Sequence, residues 1–379
     1  MIAFGEVGVV AMARLPWLGG ALRLAVARLP WLGDVLWLAM ARLPWLGDAL
    51  WLAVSRSVDL EYIMIIDAHA HVYERLTGFG PRGEARAIGG GMVEWATGER
   101  EQFLRPEHGD VGFSYDRLVS LMDEGGIDRA VLLQGSNYGF QNSYTAEAVL
   151  KYPDRFVGAG TLDPFAARKE KIFENLVENL GFRILKFEMS HTYGLSGYHG
   201  GLKIDGGELA PIFAESERRS VTVTIDTGVI DTESFQIDGL RRVRDRHPDL
   251  TLVVAHTLFP RPDGRNSERL GLLETLRGEN IYYDIANCNL HLPEQRDYLR
   301  AAIDIVGADR IMWGTDCPGI FMKRSYSELI DDVRDTSRFT ESELDYILGG
   351  TAKRVYHVQQ KDGRVSAHGD CRVICAASR

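Results

Sequence analysis

His69 and His71 stand two residues apart at the end of an apolar run that opens at Tyr62. In an extended chain, residues i and i+2 project to the same side, so both imidazoles could reach one cation. Zinc and similar metals take His nitrogen and carboxylate oxygen at about 2.0–2.2 Å. A cation held with an open position brings the pKa of a bound water down to about 7, which makes a hydroxide nucleophile available at neutral pH. A lone His-x-His has many innocent occurrences, so its meaning depends on what the fold places beside it. Other residues of the right chemistry end similar apolar runs: Lys186 and Glu188, Asp226, His256 and Asp316. Asp316 alone could be a helix cap or an Asx-turn residue.

The runs that must position them recur along the chain: Tyr62–His69, Arg129–Gln134, Phe156–Leu162, Phe182–Phe187, Val221–Asp226, Thr251–His256, Ile281–Ile285 and Arg310–Trp313. Most are continuously apolar, as strands buried on both faces should be. Helix-type stretches separate them. Tyr115–Asp123 is amphipathic and stopped by Gly125-Gly126; Leu209–Arg219 and Ser325–Asp335 share the same pattern; Thr340-Glu-Ser-Glu343 opens a last helix as a capping box. Eight strands alternating with helices over about 300 residues predict an α/β fold, a (β/α)8 TIM barrel. The competing doubly wound sheet lacks a GxGxxG after its first strand. Active sites of such barrels lie at the C-terminal strand ends, where these side chains fall. The segment 73–113 comes directly after the first strand and is rich in Gly, Arg and Glu, so a lid over that face is expected.

The two ends of the chain read differently. Arg14-Leu-Pro-Trp-Leu-Gly recurs at Arg28 and at Arg42, a 14-residue period, and five of the seven tryptophans sit in this region. Arg, Pro and Gly interrupt every repeat, which argues against a membrane span and against a signal peptide. Near-perfect copies suggest a recent tandem duplication; the other reading is an amphipathic element for a membrane surface or for self-association. Residues 1–57 are set apart as an atypical extension, 58–358 form the barrel, Met64 makes a natural beginning for its first strand, and 359–379 read as a disordered tail.

The formal net charge of −10 disfavours nucleic acid as a partner. Four cysteines without close CxxC pairs fit a reducing, cytoplasmic setting rather than a disulfide framework. A small-molecule substrate is expected, no stable membrane span, and homo-oligomerisation stays open.

Four segments together resemble the amidohydrolase superfamily, particularly its amidohydrolase-related branch, which includes aminocarboxymuconate semialdehyde decarboxylase. They are Ile65-Ile-Asp-Ala-His-Ala-His71, Val253-Val-Ala-His256, Arg310-Ile-Met-Trp-Gly-Thr-Asp316-Cys-Pro and Leu344-Asp-Tyr-Ile-Leu-Gly-Gly-Thr-Ala-Lys-Arg-Val-Tyr356. The resemblance implies that His69, His71 and Asp316 bind one divalent metal ion, zinc by preference. It also implies that His256 orients or deprotonates the bound water and that Asp316 doubles as general base. The family usually carries His at the end of strand five. Here Asp226 stands in that place, as a further candidate ligand that would shift preference toward harder ions such as manganese. Lys186, Glu188 and Trp313 are candidate substrate contacts. The expected reaction is hydrolysis of an amide, ester or lactone by metal-activated water. The alternatives are non-oxidative decarboxylation of a small unsaturated or aromatic acid, in which Arg82, Arg86 or Lys186 would hold the carboxylate, and a non-catalytic barrel.

Overall fold

A computed structural model describes residues 64–334 and 338–358. The repeats, the extension 1–57 and the tail 359–379 lie outside the described residues. Strand β1 (Ile66–Ala70) is succeeded by a local set, β2 (Phe79–Gly80), β3 (Gly83–Gly89), β4 (Met92–Trp95) and β5 (Arg100–Gln102). Then come β6 (Arg129–Leu132), β7 (Phe156–Gly158), β8 (Ile184–Glu188), β9 (Thr222–Asp226), β10 (Leu252–Val254), β11 (Ile281–Asp284) and β12 (Ile311–Met312).

Strands β1, β6 and β7 pair in parallel, and so do β8 through β12 in sequence order. Two parallel bridges join these arcs. Gly160 pairs with Leu185 between β7 and β8, and Ala70 pairs with Cys317 between β1 and the end of β12. At the second seam Ala68 N donates to Trp313 O at 2.9 Å, and Asp316 N donates to His69 O at 2.7 Å. The result is a closed eight-stranded parallel barrel, as the alternation of runs predicts.

Several strands are shorter than their apolar runs. The sixth run predicts a strand reaching His256, but β10 stops at Val254 because His256, Thr257, Leu258 and Phe259 all take positive φ, between 45° and 62°. The interior is filled by Ile66, Ala68, Val131, Leu133, Ala159, Ile184, Val253 and Met312, and the last helix closes its lower end with Val355 and Tyr356. Parallel strands bury both faces, and the outer face packs under the helices. The helix Tyr115–Gly125 ends on Gly126 at φ 67°, the left-handed cap expected of its glycine pair. Thr340 and Glu343 form the reciprocal capping box. None of the described helices is long and apolar enough to cross a membrane.

The segment 73–113 is more ordered than its composition suggests. It folds as an antiparallel sheet in the order β2-β3-β4-β5. Alternation explains it: Ala85 and Ala87 of β3 and Val93 and Trp95 of β4 are buried, while Glu84, Arg86 and Ile88 are exposed. The sheet leans on loops beyond the C-terminal strand ends. Tyr193 Oη donates to Glu101, and a Cβ on Gly78 would collide with the backbone of Asn137.

Candidate metal and catalytic site

Alternation along each barrel strand decides which side chains look inward. Ile184, Lys186 and Glu188 form one inward row on β8, and Thr222, Thr224 and Asp226 another on β9. The lower members touch the plug, Thr222 Oγ1 bonding Val355 O and Thr224 Oγ1 meeting Tyr356 Oη at 3.1 Å. The uppermost members therefore face the mouth of the barrel. On β1, Ile66 and Ala68 point inward, and simple alternation would send His69 outward. An irregularity in the register with β6, between Asp67 and Ala70, turns His69 and His71 back to the interior. Gly314 allows the seam to close beneath them: a Cβ there would stand 2.8 Å from His69 Cβ.

Each histidine is held through Nδ1. His69 donates to Asp284 Oδ2 at 3.0 Å, His71 to Leu133 O at 3.0 Å, and His256 to Ala286 O at 2.9 Å. That leaves Nε2 of His69 and of His71 turned to Asp316, while His256 Nε2 faces Asp226. His71 Nε2 stands 3.1 Å and His69 Nε2 3.7 Å from the same oxygen, Asp316 Oδ1. His69 Nε2 is buried without a hydrogen-bond partner among the described residues. Ligand atoms about 2.0–2.2 Å from a shared cation stand roughly 3–3.5 Å apart, so His69, His71 and Asp316 fit a divalent ion of mixed nitrogen and oxygen preference. The protonation states agree with that reading. Burial pushes the His69 imidazole down to about 4 against the opposing pull of Asp284, so its ring is neutral, as a ligand must be. Burial works against the Asp316 carboxylate, but the three imidazoles outweigh it and hold the group down at about 2.

His256 occupies the edge of this group. Ligand-type atoms of His69, His256 and Asp316 lie within 4.8 Å of one another. His256 Nε2 also stands 3.2 Å from Asp226 Oδ2, and both side chains are buried. Burial alone would depress the imidazole, but the Asp226 carboxylate, with Asp316 and Asp284, raises it to about 10. Asp226 is not part of the close group and turns its other oxygen to Gly228 N at 2.7 Å. Lys186 is fully buried, its Nζ 3.6 Å from Glu188 Oε2 and without a hydrogen bond among the described residues. Glu188 is pushed up to about 7, first by burial and then by the neighbouring Asp226 carboxylate.

Trp313 is a correction. Met312 fills the interior, so its successor points outward. The indole is buried in the outer layer, its ring 6.4 Å from that of Tyr326. Arg82 and Arg86 are not brought to the cluster either. Arg82 pairs with Glu101 at 2.6 Å and stacks over Trp95, and Arg86 pairs with Glu94 at 2.6 Å.

Three residues to which the sequence alone gives no role matter here. Asp284 accepts from His69 Nδ1 and, through Oδ1, from the backbone N–H groups of His256 and Ala286 at 2.9 and 3.1 Å. Its signal is a carboxylate inside the apolar run Ile281-Tyr-Tyr-Asp-Ile-Ala, since a charge buried there must have partners. Asp67 points outward and accepts from Thr315 and Tyr326, which ties β1 to β12. Tyr138 lies against the His71 ring at 4.9 Å and stacks on Tyr73. Nothing in its loop sequence marks it.

A family model described as amidohydrolase matches residues 66–358. The chain belongs to the amidohydrolase family. It is therefore an enzyme of this superfamily, a group of metal-dependent enzymes. Solved structures agree on the fold. An uncharacterized TIM-barrel protein from Bordetella bronchiseptica is 24% identical, with 65% of this chain and 83% of that one covered and a TM-score of 0.53. An amidohydrolase from Burkholderia multivorans with bound zinc is 19% identical, covering 78% and 100%, at a TM-score of 0.57. A probable 2-pyrone-4,6-dicarboxylic acid hydrolase from Acinetobacter baumannii, with citric acid bound, is 16% identical, covering 77% and 99%, at a TM-score of 0.56.

Proposed function

We propose that this amidohydrolase is a metal-dependent hydrolase of a small amide, ester or lactone. His69, His71 and Asp316 would hold one divalent cation, zinc by the softness of the two imidazoles and manganese as the alternative. The observation that carries this reading is the convergence of His71 Nε2 and the unpartnered His69 Nε2 on Asp316 Oδ1. A cation bound there supplies an acidified water and polarises a substrate carbonyl.

The rest is done by the chain. Asp316 divides its labour between two oxygens. Oδ1 faces the imidazoles, while Oδ2, among the described residues, accepts only from Asn287 Nδ2 at 3.1 Å and is the atom placed to take the nucleophile's proton. The same oxygen would return that proton to the leaving group. Lys186 and Glu188 line the inward row beside this centre and are the substrate contacts of the proposal. The antiparallel sheet of β2–β5 serves as the lid that excludes water. Of the three cations that decarboxylation would use to anchor a carboxylate, Arg82 and Arg86 are already paired within the antiparallel sheet and Lys186 alone is left for that role, so hydrolysis is the reading preferred here.

Elemental analysis of the purified protein, native and after incubation with zinc or manganese, tests the metal. About one equivalent per chain is expected, and none even after reconstitution refutes the proposal. A panel of lactones, esters, amides and carboxylic acids then tests the chemistry. Acid release identifies a hydrolase, whereas CO2 release would replace this reading with decarboxylation.

A further inference from the structure

Asp226 stands at the mouth of the barrel, and the structure shows where its carboxylate goes. It ends β9 with its two oxygens turned in different directions, Oδ1 to Gly228 N at 2.7 Å and Oδ2 to His256 Nε2 at 3.2 Å. Its exposure is 5% and that of His256 is 3%, so the pair is shielded from solvent. Lys186 Nζ lies in the same inward layer, 3.6 Å from Glu188 Oε2. Ligand-type atoms of His69, His256 and Asp316 lie within 4.8 Å of one another, and His71 Nε2 stands 3.1 Å from Asp316. Asp226 meets that group only through His256.

We infer that Asp226 is not a metal ligand but the partner that positions His256, leaving His69, His71 and Asp316 as the protein ligands of the cation. The inference rests on the proposed metal site and alters the chemistry expected of it. A fourth protein ligand carrying negative charge would weaken the cation's pull on a carbonyl; a three-ligand site keeps that pull and keeps positions open for water and substrate. Both ring nitrogens of His256 are engaged, Nδ1 by Ala286 O and Nε2 by Asp226 Oδ2, so the ring is fixed beside the reacting centre with neither nitrogen turned to a water on the cation.

The test compares Asp226→Asn with Asp316→Asn in the full chain, using zinc affinity by chelator competition and the visible spectrum of the cobalt-loaded protein. Asp226→Asn is expected to bind zinc within about threefold of the parent and to leave the cobalt bands unmoved; Asp316→Asn is expected to lose at least about tenfold in affinity and to shift them. A tenfold loss or a shifted cobalt spectrum in Asp226→Asn overturns the inference. If the parent itself binds no metal, it is the proposed function that fails, and the two failures are thereby distinguished. Asp226→Asn leaves His256 buried beside an uncharged partner and could fail to fold. The double variant Asp226→Asn/His256→Gln removes both members of the pair, and its zinc affinity and cobalt bands are expected to match the parent's. In urea unfolding the double variant should also be less destabilised than the sum of its two single variants; strict additivity would deny the pairing.

Discussion

Asp284→Asn isolates the role of one atom. Asp284 serves three donors with two oxygens, Oδ2 taking the proton of His69 Nδ1 and Oδ1 taking the backbone N–H groups of His256 and Ala286. Asparagine has one oxygen and one NH2 group. If its oxygen turns to the two amides, the NH2 faces His69 Nδ1. That nitrogen must then accept, the ring proton moves to Nε2, and the lone pair meant for the cation is lost. If its oxygen turns to His69 instead, two buried amides face an NH2 group, and each unpaired donor costs about 1–3 kcal/mol. The first arrangement strands fewer groups and is the expected one. Loss of an orienting group behind a ligand typically lowers metal affinity by about 10–100-fold, or about 1.4–2.7 kcal/mol. Zinc competition against a chromophoric chelator measures this, with circular dichroism and urea unfolding of the metal-free protein as controls for folding. A folded Asp284→Asn protein that binds zinc within threefold of the parent would refute the claim that this carboxylate sets the His69 tautomer.

Gly314→Ala places a Cβ 2.8 Å from His69 Cβ and 2.9 Å from His69 N, so the seam between β12 and β1 must open; a stability loss of about 1–3 kcal/mol and a weakened metal site are expected, read by urea unfolding and chelator competition. Glu343 caps the Thr340 helix and takes a bidentate pair from Arg300 at 2.9 and 3.0 Å; that pair, then the Thr340 backbone amide, holds its carboxyl at about 2 against the ordinary 4.5. A depressed carboxyl stabilises the fold above about pH 4.5 and loses that contribution as pH falls toward 2. Glu343→Gln is accordingly expected to cost about 1 kcal/mol at pH 7, and its gap to the parent should narrow in urea melts stepped from pH 6 down to pH 3. A chain starting at Met64 is expected to fold, because Ile65 N already donates to Asp128 Oδ2 at 2.7 Å and Ile65 O accepts from Asp128 N and Arg129 N; failure to give a cooperative thermal transition would show that preceding residues belong to the barrel.

The positions of the eight barrel strands are legible in the sequence because parallel strands buried on both faces read as apolar runs, and no surface pattern competes with that signal. Their ends are less legible. At His256, and again at Asn287 and Asp316, the backbone leaves the ladder in a left-handed conformation that a non-glycine residue adopts only when its neighbours compel it, and apolar content says nothing of that. For His256 the compelling neighbours are Asp284, through the His256 amide, and Tyr298, whose hydroxyl bonds Thr257 O. Both are distant in sequence, which is also why the role of Asp284 emerges only in three dimensions. Trp313 shows the opposite difficulty. It stands three residues before Asp316, but alternation sends it to the outer layer, so nearness along the chain is a poor guide to nearness in space. The segment 73–113 reads as a loop in sequence because its glycines and charges are turn-forming types, while its buried strand positions rest on two alanines, Val93 and Trp95, too thin a pattern to announce a sheet.

The antiparallel sheet β2–β5 enters and leaves the barrel at one place. Tyr73 and Phe113 form an antiparallel bridge, each donating its N–H to the other's carbonyl at 2.9 Å. A chain that departs and returns through a single paired doorway can be lengthened, shortened or exchanged for another without altering the path of β1 into the helix at Tyr115. The proposed ligands and the antiparallel insert are thus separable units of inheritance. A related barrel could acquire a new substrate range by replacing the insert alone, with His69 and His71 left where they stand.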